Sequence, residues 1–216
     1  MHHNSVLKKK NFNTVKYLIV IILDCILSIF QIGKRKRIDM NKHNGMRPQD
    51  IVILLKMITL DDRKCSITEM SDCLKISPSE ISKAMERNVI AGLVSSDKTR
   101  VNKLALRDFL IYGLKYVFPP QPGNSSRGIA TAHSASPVNQ KITENGENYV
   151  WKYYKGTRRG NSIVPLYDKI PKIVENQTEL YEFLTVIDSL RIGKKREIQI
   201  AIKELDKKLN VDGEEC

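Results

Sequence analysis

The sequence predicts a mainly α-helical protein with a small β-wing and a smaller mixed C-terminal region that ends in a helical hairpin. Three observations predict it. Two short amphipathic runs, each opened by a serine with a glutamate three residues on, follow one another around residues 66–90. An apolar–polar–apolar stretch over 93–102 reads as two short strands with a polar tip. Two further runs with helical spacing flank Gly193. At 216 residues, 41% hydrophobic and 28% charged, the chain has the composition of a packed soluble protein.

The elements follow in order. Pro48 at a first-turn position and Asp50 at the positive end of the dipole open a helix bearing Ile51, Leu54, Leu55 and Ile58, which ends near Leu60. Asp61-Asp62-Arg63-Lys64 makes a polar turn. Ser66 and Glu69 form a capping box for a helix whose inward face is Ile67, Met70 and Leu74. Lys75-Ile76-Ser77 connects it to the next. There Ser77 is the N-cap, Pro78 the first helical residue, Glu80 the group reaching back, and Ile81, Ala84, Met85 and Val89 the buried face. Two helices joined by so short a turn are a helix-turn-helix, whose second helix, here 78–90, enters the major groove.

Ser79, Ser82, Lys83, Glu86 and Arg87 are left on its outward face, residue types that bond base edges and phosphates. After Gly92, Leu93-Val94 and Val101-Asn102 form the wing around a tip carrying Lys98 and Arg100, which are placed to clamp phosphates. Ser77 and Lys103 complete this DNA-binding set. Asn102 caps a long helix through Leu104, Leu106, Phe109, Leu110, Leu114 and Val117, stopped by Pro119-Pro120, so the first domain spans 46–118.

Residues 68–94, TEMSDCLKISPSEISKAMERNVIAGLV, resemble the winged helix-turn-helix of MarR-like transcriptional regulators. Met70, Leu74, Ile76, Ser77, Ile81, Ser82, Gly92 and Leu93 fall in the family's slots. Ser71 stands where alanine usually packs, and Lys75 where glycine takes a left-handed conformation. The resemblance implies a cytoplasmic transcriptional regulator acting on double-stranded DNA by occupancy.

Residues 119–148 carry proline, glycine, serine and asparagine in loop proportions, and 119–177 as a whole reads as a loop-rich basic and aromatic segment. Arg127 and His133 lie at its centre, without an acid at a spacing that would make a catalytic set. Tyr149 to Gly160 holds Trp151 with four cations, Lys152, Lys155, Arg158 and Arg159, and no acid. Two readings stand side by side: an anion or partner site built from Arg127, His133, Trp151, Arg158 and Arg159, or a hairpin whose aromatics fill core. Thr178 caps a helix bearing Leu180, Phe183, Leu184, Ile187 and Leu190, and a second carries Ile198, Ala201, Ile202, Leu205 and Leu209, making the hairpin of 178–209. Its apolar face packs onto the first domain or onto a second chain as a homodimer. Arg127 to Ala135 and Val150 to Tyr167 resemble the region following the helix-turn-helix in a bacterial family of small uncharacterised regulators.

Residues 1–39 form an apolar and basic leader. Its run 15–32 has the length of a membrane anchor but carries Asp24 in mid-span; the alternatives are translated upstream sequence before a start at Met40, or a core helix. The leader holds eight Lys and Arg against two Asp, so half of the net +12 belongs to it. Cys25, Cys65, Cys73 and Cys216 show no paired spacing, which points to a reducing compartment and no metal site. Clustered carboxylates and phosphate-binding glycines are missing from the pattern, so neither an enzyme nor a cofactor is expected. The alternative function is a protein-interaction module, such as an antitoxin or accessory partner of a neighbouring enzyme, docking through the C-terminal region.

Overall fold

A computed structural model describes residues 45–60, 66–142 and 147–211. The leader and the turn 61–65 lie outside them, as does the candidate membrane run 15–32. Among the described residues no helix is long and apolar enough to cross a membrane.

Local chemistry builds the first helices as the sequence indicates. α1 (Pro48–Thr59) starts with Pro48, and the Asp50 carboxylate accepts the Arg47 backbone N–H at 2.9 Å. α2 (Ile67–Leu74) carries the full reciprocal box: Ser66 Oγ accepts from Glu69 N–H at 3.1 Å and Glu69 accepts from Ser66 N–H at 2.8 Å. Ile67, expected inward, is 46% exposed. α2 stops because Lys75 takes the left-handed conformation, φ 55° and ψ 34°. α3 (Pro78–Ile90) is capped by Ser77 Oγ, which accepts from Glu80 N–H at 3.4 Å. The Glu80 carboxylate does not reach back as the pattern suggests; it binds Arg47, Gln49 and Arg87 instead.

Beyond Gly92, at φ +73°, one antiparallel bridge joins Val94 to Val101. Ser95 N–H to Arg100 O and Asn102 N–H to Leu93 O flank it, at 2.9 and 2.8 Å. Asn102 then caps α4 (Lys103–Asp108), accepting from Ala105 N–H at 3.2 Å. A π-helical turn, Phe109–Gly113, carries the chain into α5 (Leu114–Val117).

The expected loop over 119–148 is corrected: residues Pro122–Thr131 form a ten-residue strand, β1. It pairs antiparallel with both β2 (Tyr149–Lys152) and β3 (Arg158–Ile163), while β2 and β3 run parallel to each other, so the three strands close upon themselves. Glycine permits so tight a closure. A Cβ on Gly128 would lie 2.0 Å from the Trp151 carbonyl oxygen, and one on Gly160 2.4 Å from that of Asn148. The glycine of each Arg-Gly pair is therefore a packing requirement.

α6 (Ile170–Ile173), α7 (Thr178–Ile192) and α8 (Lys195–Leu209) complete the described chain. Thr178 is not the cap of α7; Gln177 precedes the helix and makes no side-chain cap bond. Residues 183–191 of α7 are buried all round, because α1, the sheet side and α8 each cover part of it. The hairpin's apolar face is thus consumed within the chain, and one core cluster runs from Ile51 to Leu209. In its middle the Asp188 carboxylate accepts from Thr131 Oγ at 2.8 Å, Trp151 Nε1 at 2.7 Å and Arg191 Nη1 at 2.7 Å, and Arg191 Nε reaches the Phe118 carbonyl. A buried charge so fully bonded is tolerated; an unpaired one is not.

Candidate nucleic-acid interface

α3 carries six of the residues expected to contact DNA or to flank them, from Ser77 at its N-cap to Arg87. Ser77, Ser79, Lys83 and Glu86 are exposed and Ser82 is half-buried, as the helical spacing requires. Ser77 Oγ and Ser79 Oγ are 3.3 Å apart at the helix start. Glu86 and Lys98 approach to 3.8 Å, so the turn after Val94 lies against the outward side of α3.

That turn is ordered by its own side chains. Lys98 sits left-handed at φ 61°, and Asp97 accepts from Ser95 Oγ, Thr99 Oγ and Thr99 N–H. The Ser95 and Thr99 hydroxyls, then the Thr99 amide, push the Asp97 carboxyl down to about 2. Lys98 and Arg100 are exposed at this tip, and Lys103 is half-buried at the start of α4. Lys83 and Arg100 have no ion pair among the described residues.

Arg87 departs from the expected arrangement. Its side chain is only 10% exposed and turns inward, Nε and Nη2 donating to the two Asp50 oxygens at 2.7 Å and Nη2 also to Glu80 at 2.8 Å. The reason is charge: Asp50, fully buried at the start of α1, needs a counter-ion, and one helical turn beyond Lys83 is the position that reaches it. The Asp50 bonds, outweighing burial, raise the Arg87 guanidinium further above its ordinary value. Burial alone would raise Glu80, but Arg87, Arg47 and Lys83 together bring its carboxyl below the usual value. Arg87 therefore ties α3 to the start of α1.

The C-terminal region grips the turn before α3. Tyr167 Oη and Lys169 Nζ both donate to the Lys75 carbonyl, at 2.9 and 3.0 Å, and Gln177 Nε2 donates to that of Cys73 at 3.1 Å. These are the orphan acceptors at the end of α2. Sequence reasoning missed all three donors; the only signal was Leu166-Tyr167 closing the second resemblance.

The second expected cluster is partly assembled. Trp151, 1% exposed and bonded to Asp188, belongs to the core and is closed to base stacking. Arg127 Nε is committed to the Gly156 carbonyl at 2.6 Å. His133 Nε2 lies 2.9 Å from the Glu147 carbonyl, its ring edge-on to Tyr149. Arg158, Arg159 and His133 do share one cleft. Burial, then the Glu147 carboxylate, pushes Tyr149 on its wall up to about 12, so the phenol stays neutral.

Among the described residues no three His, Cys, Asp or Glu side chains gather where a metal ion could be held. No family model, no curated protein and no solved structure matches the chain.

Proposed function

We propose that the chain is a sequence-specific double-stranded DNA-binding protein of the winged helix-turn-helix kind, a transcriptional regulator working in the cytoplasm. The observation that carries this reading is the face of α3. A helix reached through a three-residue turn presents Ser79, Lys83 and Glu86 to solvent beside a bridged turn carrying Lys98 and Arg100. Seating α3 in the major groove would bring short polar side chains to base edges and leave the tip cations for phosphates. Regulation would follow from occupancy of the site.

Selection from a random duplex pool, followed by gel shift, tests the reading. The Lys83→Glu, Arg100→Glu double variant is expected to lose binding, and the single Arg100→Ala to lower the salt slope by about 1, as for one released phosphate contact. Undiminished retention by the double variant, with an unchanged melting profile, overturns it.

A further inference from the structure

Arg158 and Arg159 on β3, Lys194 before α8, Arg196 in its first turn and His133 line one cleft of about 690 Å³. Among the described residues none of the four Lys and Arg side chains there forms an ion pair. Glu197, the one carboxylate in the lining, is already engaged: it accepts the Lys194 backbone N–H at 2.6 Å and lies 3.5 Å from His133 Nδ1. Arg127 stands directly opposite Arg159 in the β1–β3 register, but its Nε is bonded to the Gly156 carbonyl and it does not line the cleft. The cleft also opens at the start of the fifteen-residue α8, the positive end of its dipole.

We infer that this cleft binds a phosphorylated small organic molecule. Three guanidinium forks suit the several oxygens of a phosphoryl group better than the two of a carboxylate, because each fork takes a pair of oxygens. The volume fits the roughly 300–1,000 Å³ of small-molecule sites and leaves room for an organic body. Ala130, Val150 and Ile142 offer that body apolar wall, and Asn139 and Asn148 supply amides that read its polar groups. The inference stands apart from the DNA reading, since neither α3 nor the 95–100 turn lines the cleft.

Calorimetric titration of the full chain with inorganic pyrophosphate, without DNA and at constant ionic strength, tests it. Saturable one-site binding is expected, weakened about tenfold or more in Arg158→Gln, Arg196→Gln, a loss of roughly 1.4 kcal/mol or more. Lys207→Gln, at the far end of α8, should bind as the parent does. Absence of saturable heat, or equal binding by the cleft variant, overturns the site. Citrate binding as tightly as pyrophosphate overturns the phosphoryl class. Loss of duplex affinity in the cleft variant without any pyrophosphate binding assigns the cations to nucleic acid and overturns the inference as well.

Discussion

At the scale of single residues, Arg87 and Lys83 have opposite surroundings. They stand four apart on α3, yet one is clamped between Asp50 and Glu80 while the other faces solvent. Replacing Arg87 by alanine strands a fully buried carboxylate, and unfolding in urea should show a loss of about 3–5 kcal/mol. Lys83→Ala should stay within about 0.5 kcal/mol, as surface substitutions do. Equal stability of the two variants would remove the clamp from the account. Glu80 makes the same cluster pH-sensitive. Its folded carboxyl binds a proton less readily than the unfolded one, so the stability it adds is complete above the ordinary 4.5 and fades as pH falls through the lower folded value. Glu80→Gln should flatten that acid limb.

At the scale of elements, the turn between α2 and α3 combines a backbone irregularity with outside support. Lys75 is left-handed, where a side chain costs roughly 1–2 kcal/mol that glycine does not, partly offset by glycine's larger unfolded entropy. Lys75→Gly keeps the carbonyl that Tyr167 and Lys169 hold, so it should raise stability by about 0.5–1 kcal/mol, read as a melting point higher by a few degrees. A lower melting point would show that the lysine side chain stabilises the turn. This position was legible in the sequence, as were α1 to α3, because caps, proline and helical spacing are local chemistry. β1 was not legible. Pro122-Gly123-Asn124-Ser125-Ser126 has loop composition, and its pairing rests on β2 and β3, whose first residues lie far along the chain. The inward turn of Arg87 was not legible for a related reason: the spacing puts it beside Lys83, and Asp50, 37 residues away, draws it inward together with Glu80.

At the scale of the whole molecule, helices α1 to α3 do not own their core. Ile51, Val52, Ile53, Leu54 and Leu55 are five consecutive residues of α1 at 0% exposure, which an amphipathic helix lying on one partner cannot achieve. α2 and α3 cover one side of α1 and α7 the other. The turn before α3 is likewise completed from outside, by Tyr167, Lys169 and Gln177. A fragment of residues 45–118 would therefore expose the side of α1 that α7 covers. Burying one such aliphatic side chain is worth about 1.5–3 kcal/mol, so losing two or three removes most of the roughly 5–15 kcal/mol that keeps a domain folded. The fragment is expected to lack a cooperative thermal transition by circular dichroism, while 45–211 melts in one step. A sigmoidal melt of 45–118 would show instead that the first helices form an autonomous domain and that the grip on Lys75 is an accessory contact.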